Sequence, residues 1–139
     1  MPRAHDERDL LASTGDVWSF VAEPHHLPDW WPGLAAVDPD RRGAAAGARW
    51  RVRRSQPGWL HRGDDSDTLL VTAAEARRRL AFELIGAGIR ADLRLEPIAA
   101  DRTAAALEVE IRWLSGSPRR LAADALSRLH ALCQTAANL

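Results

Sequence analysis

The sequence predicts an α+β domain: a curved antiparallel sheet of six to seven strands around one long C-terminal helix, with two short helices near the N-terminus. Three observations predict it. Four segments from residue 48 onward alternate apolar and polar residues with period two. That period means strands with one buried and one wet face. The last twenty or so residues carry a broad apolar stripe at helical spacing, and such a stripe needs an apolar surface to cover it. Between residues 13 and 33 lie a capping signal, a helical repeat and two proline stops.

The elements follow in order. "RDLLA", Arg8–Ala12, reads as a short strand. "STGDVWSFVAEP" reads as a helix, with Ser13 as cap and Asp16 three residues on, a spacing that satisfies orphan amides and suits the helix dipole. Pro24 ends it. A further helical turn covers Pro28 to Trp31, and Pro32-Gly33 stops it. "LAAVD", Leu34–Asp38, is a short strand. "ARWRVRRS", Ala48–Ser55, sets Trp50 and Val52 against Arg49, Arg51 and Arg53. Asp67–Glu75 and Arg79–Ile85 are strands, and Gly86–Gly88 makes a glycine-rich hairpin to Ile89–Glu96. "PIAADRT" turns the chain into "ALEVEIRW", which ends at Trp113. On the wet face, Arg90, Asp92, Arg94 and Glu96 should pair with Glu108, Glu110 and Arg112; each exposed pair is worth about 0.2–1 kcal/mol. Ser117 caps the final helix, Pro118 to Ala137, with Leu121, Ala125, Leu126, Leu129, Leu132 and Cys133 on its stripe.

Composition narrows the function classes. A chain of 139 residues is one domain, residues 1–139, that buries roughly 70% of its unfolded surface. Its 19 basic and 19 acidic residues cancel, so nothing argues for a nucleic-acid footprint. All the basic residues are Arg and none is Lys, which reads as G+C-rich coding rather than a phosphate site. One cysteine, Cys133, forms no internal disulfide and suits a reducing compartment. The opening "MPRAHDERD" has no signal-peptide pattern, and no apolar run approaches 18 residues. The expectation is a soluble cytoplasmic protein without membrane insertion.

Order and motifs together resemble the START/birch-allergen-like SRPBCC superfamily, in particular its polyketide cyclase/dehydrase-type members. The resemblance rests on Val17-Trp18, on "LPDWWP" (Leu27–Pro32), on "GARWRV" (Gly47–Val52) and on "ARRRLAFELIG" (Ala76–Gly86), and it covers nearly the whole chain. It implies a helix-grip fold whose sheet and long helix enclose a cavity for a hydrophobic or aromatic small molecule. The adjacent indoles would then sit at the cavity mouth. Either one plugs the core while the other lines the entrance, or both simply pack.

Inward parity nominates Trp50, Phe82, Leu93, Val109 and Trp113 from the sheet and Leu129 and Cys133 from the helix as ligand-binding, beside Trp30, Trp31 and the loop residue Trp59. Ala73, Ala91 and Ala105 leave room on the same face. The polar candidates for catalysis are three. Arg54, at the inward parity of its strand, lies either in water at the strand end or near the mouth, where it would clamp a ligand carboxylate or enolate. His61 is either an exposed loop histidine or a general base near neutral pH. Asp29 could shift a proton. His25, His26 and Asp29 offer no fixed metal geometry or fourth ligand, and "GDDSD", Gly63–Asp67, lacks calcium-loop spacing. No cofactor and no metal is expected. Two functions stay open: a cyclase/dehydratase-type enzyme of lyase or isomerase chemistry, and a non-catalytic lipid or small-molecule carrier or sensor. The partner is a hydrophobic small molecule, and the protein a monomer or homodimer.

Overall fold

The computed structural model describes residues 2–55, 65–112 and 116–137. Seven strands, β1 (Arg3–Leu10), β2 (Leu34–Asp38), β3 (Arg49–Arg54), β4 (Ser66–Glu75), β5 (Arg79–Leu84), β6 (Ile89–Ala99) and β7 (Arg102–Ile111), form one antiparallel sheet. Their spatial order is β1-β7-β6-β5-β4-β3-β2. The chain meanders from β2 to β7, and β1 returns to close on β7. Three helices join it: α1 (Thr14–Val21), α2 (Leu27–Trp30) and α3 (Pro118–Ala137), with a 3₁₀ turn at Pro24–His26 before α2. The helix-grip architecture expected from the sequence is therefore present, with seven strands.

The local reasons are the ones the sequence carries. Ser13 Oγ accepts the Asp16 amide at 3.1 Å, so α1 begins where its cap dictates. Gly33, at φ 85°, turns the chain out of α2 into β2 in a conformation that side chains resist. On α3, Ala122, Ala125, Leu126 and Leu129 are buried; the helix lies mainly over β1 and β7. The core is one cluster in which Trp30, Trp31, Trp50, Phe82, Leu69, Leu93 and Leu107 are at most 2% exposed.

Four details differ from the sequence expectation. β1 starts at Arg3, not Arg8, and ends at Leu10; its "RAHDERD" is held by an eight-residue ladder to β7 rather than by burial, so hydrophobicity gave no signal for it. β6 runs on through Pro97 to Ala99, because an irregularity between Pro97 and Ala99 absorbs the missing amide. A bulge between Val71 and Ala73 flips the parity of β4, so Ala74 rather than Ala73 packs on the core. On the wet face, Arg90 and Arg112 both reach Glu83 on β5, at 3.8 and 3.6 Å, while Asp92 takes Arg79 and Arg94. Glu108 and Glu110 take Arg3 on β1 instead, so the ion pairs there join β6 to β5 and β7 to β1 in place of the expected pairs between β6 and β7.

Candidate functional site

Four connections gather at one end of the sheet. Ser55 N donates to Gly33 O, Arg54 N to Asp65 O, Ile85 N to Thr68 O and Arg112 N to Gly88 O. The end of α2, the end of β3, the β5–β6 hairpin and the approach to α3 therefore meet in one place. The paired indoles belong to this end. Trp30 and Trp31 are both fully buried. With Phe82 they form an edge-to-face triad: Trp31–Phe82 centroids lie 5.1 Å apart, Trp30–Trp31 5.8 Å and Trp30–Phe82 6.2 Å, at angles of 77° to 87°. Such contacts add about 0.5–1.5 kcal/mol each beyond burial. Of the two sequence readings, packing describes both rings, yet Trp31 also borders open space.

That space is a recess of about 150 Å³ bounded by Trp31, Pro32, Leu34, Leu84, Ile89, Leu121, Arg54 and Asp67. A second recess of about 270 Å³ lies beyond Ile89 and Leu121, which wall both, and adds Ile111, Ser117, Arg120 and Asp124. Leu121, half-buried on the first turns of α3, is the partition between them. Together they give an apolar slot at the helix–sheet seam with charges at its rim.

Arg54 is the rim cation. Its side chain is 37% exposed, and its guanidinium stands 3.4 Å from Asp67 Oδ2. Asp67 is 4% exposed and otherwise spent on backbone: Oδ1 accepts Gly86 N at 2.6 Å and Thr68 N at 2.7 Å, and Oδ2 accepts Ala87 N at 3.0 Å. Such anchoring fixes the carboxylate, and the carboxylate orients Arg54. Gly86 is required for this approach, because a Cβ there would lie 2.7 Å from Asp67 Oδ1. Sequence reasoning missed Asp67, Ile89 and Leu121. Asp67 closes "GDDSD" and opens a strand in the sequence reading, which gave it no partner; its partners are up to 20 residues away and become visible through strand pairing alone.

The remaining sequence candidates scatter. Phe82, Leu93 and Val109 are buried under the sheet's inner face. Trp50 is buried too, and its indole N–H donates to Gly43 O at 2.9 Å. Asp29 is exposed on α2, away from the recess lining. Leu129 and Cys133 lie at the opposite end of the molecule, in an apolar cleft beneath α1. Burial, and secondarily the Asp16 charge, pushes the Cys133 thiol up from its ordinary value. Trp59, His61 and Trp113 lie outside the described residues. Among the described residues, one buried side-chain polar atom has no partner, Trp30 Nε1. The one buried polar residue of the core among the described residues, Thr103, donates to Ala12 O. No group of three or more His, Cys, Asp and Glu able to hold a metal occurs among the described residues. No described helix is long and apolar enough to cross a membrane.

Comparison with known proteins places this geometry. Residues 1–136 match the family model described as polyketide cyclase / dehydrase and lipid transport. No curated protein matches the chain. Among solved structures, a Deinococcus radiodurans protein is 21% identical with a TM-score of 0.71, each chain covering all of the other. The protein XoxI from Bacillus cereus has the same TM-score at 10% identity, with 99% of both chains covered. The di-domain ARO/CYC BexL from the BE-7585A biosynthetic pathway is 21% identical with a TM-score of 0.65; the match covers 99% of this chain and 47% of that one. At these identities the structural likenesses establish the fold.

Proposed function

This chain belongs to the polyketide cyclase/dehydrase and lipid transport family, and from that premise we propose that it binds an apolar or aromatic small molecule at the indole end. The hydrocarbon body lies in the slot beside Trp31, and an oxygen function meets Arg54. The observation that carries this reading is the pair of recesses sharing Ile89 and Leu121. Each alone is small beside the roughly 300–1,000 Å³ of ordinary ligand pockets. A rotation of Leu121 joins them beneath a cation already held in place.

Binding is the primary act in this reading, because the side chains of the core are apolar apart from Thr103, whose hydroxyl is already engaged. A carrier that holds its guest needs no more. The catalytic reading is favoured by one observation, the Asp67 carboxylate that orients Arg54. A guanidinium held there would stabilise the enolate of a polyketide-like chain folded in the slot, and proximity would supply the rest. The lone cysteine supports a cytoplasmic setting.

Native mass spectrometry of protein purified from its own host tests the binding claim. The expected result is an added mass from an apolar, oxygen-bearing molecule. Titration with 1-naphthoate is the defined counterpart: it should quench Trp31, and Arg54→Gln should weaken it roughly tenfold, the effect of one charged hydrogen bond. Ligand-free protein that also ignores naphthoate would end the proposal.

A further inference from the structure

The apolar cleft at the far end of the molecule has a chemistry of its own. It measures about 470 Å³ and runs between α1, the last turns of α3 and the two-residue turn joining β6 to β7. Val17 and Phe20 form one wall, Leu129, Leu132 and Cys133 the other. Its volume alone suits a compact organic molecule. Leu132 is among the few large apolar side chains left exposed among the described residues.

The charged residues that line it have one sign. Asp16, on the first turn of α1, and Asp101, in the β6–β7 turn, line the cleft, and no Arg does, in a chain with 19 of them. Neither carboxylate has an ion-pair partner among the described residues, where many other acids do. Ala136 and Ala137 bring the end of the 20-residue α3 to the same rim. Its last turn holds no basic residue, so the negative end of that helix dipole is left uncompensated by a side chain. The dipole of α1 works the other way at Asp16, but that helix is short and Ser13 already caps it. The raised Cys133 thiol agrees, since the Asp16 charge contributes to it.

We propose that this cleft is a second small-molecule site, distinct from the indole-end slot, and that it takes an apolar body carrying a protonated amine. The body packs on Phe20 and Leu132, and the ammonium group lies toward Asp16, Asp101 and the α3 terminus. The electrostatics are the reverse of those at Arg54, so one ring system with three substituents separates the two sites.

The experiment uses 1-naphthylmethylamine, 1-naphthylmethanol and 1-naphthoate at low salt. Cys133, the only cysteine, reports occupancy through its maleimide-labelling rate, read by intact mass. The amine should protect Cys133 at the lowest concentration, the alcohol should follow and naphthoate should be weakest. The Asp16→Asn/Asp101→Asn double variant should weaken the amine about three- to tenfold, as expected for exposed charges, and leave the alcohol unchanged. Ala136→Trp, which fills the cleft, should abolish protection while the melting profile stays cooperative. Equal protection by the three probes, an unaffected Asn double variant, or amine binding that quenches Trp31 without protecting Cys133 would overturn the proposal. Naphthoate bound beside Trp31 leaves it intact, and failure there bears on the indole-end reading alone.

Discussion

The two ends of this molecule solve opposite problems with the same sheet and helix. At the indole end, three aromatic rings meet edge to face at centroid distances of 5.1 to 6.2 Å, and the open space is divided by Leu121. The rim cation there is fixed by a buried carboxylate. At the α1 end the space is larger and undivided, Leu132 on its wall is 36% exposed, and the rim charges are acids with no ion pair among the described residues. Rigid packing with an oriented charge suits selection among similar guests. An open apolar trough with diffuse charge suits a looser one.

The sharpest way to break that contrast is to truncate one side chain at each end. Trp31→Ala removes a fully buried ring and should cost about 3–5 kcal/mol. Leu132→Ala should stay within about 0.5 kcal/mol, as at an ordinary surface site. Denaturant unfolding of both variants measures this, and equal costs would erase the distinction. Next in size is Asp67→Ala. It strands three backbone amides and releases Arg54, for about 1–3 kcal/mol, and should loosen the Gly86–Ala87 hairpin in hydrogen exchange before the rest of the sheet.

Smaller still is a comparison between indoles. Trp50→Phe and Trp30→Phe lose the same ring volume, but only Trp50 gives up a hydrogen bond, to Gly43 O. Trp50→Phe should be costlier by about 0.5–1.5 kcal/mol. Equal costs would mean that Trp30 Nε1 has a partner in solution. The smallest effect concerns Cys133. Its raised pKa favours the neutral thiol in the folded state, so alkylation at neutral pH should be slower than for an unfolded control. The rate should climb only as pH rises past the ordinary thiol value of about 8.5. The stability tied to this shift is complete below that value and is lost as pH rises through the folded pKa. Asp16→Asn should move the profile partway down in pH; no movement would detach Asp16 from the cleft.

Much of this was legible in the chain. The alternation from Arg79 to Ile111 gave three strands with their inward faces, because period two survives wherever one face is buried and the other wet. Ser13, Pro24 and Gly33 marked helix limits through local chemistry. β1 was half-hidden because an edge strand is held by backbone bonds to β7, and its charged side chains leave no apolar period. Ala73 was misassigned because a bulge changes parity without a sequence mark. For the site, parity left Arg54 between the strand end in water and a mouth, and its partner Asp67 comes through the β3–β4 pairing, 13 residues on. The acidic cleft depends on where α1 sits against the end of α3, a long-range relation that no local spacing encodes.

The most direct test is the set of six indole N–H signals in a proton–nitrogen correlation spectrum, followed as 1-naphthoate is added. The Trp31 and Trp30 signals should move together and saturate, with Trp50 fixed by its carbonyl, and Arg54→Gln should blunt the response. Indole signals that stay still at saturation, or shifts confined to the amides of Phe20, Leu132 and Cys133, would contradict a guest at the indole end.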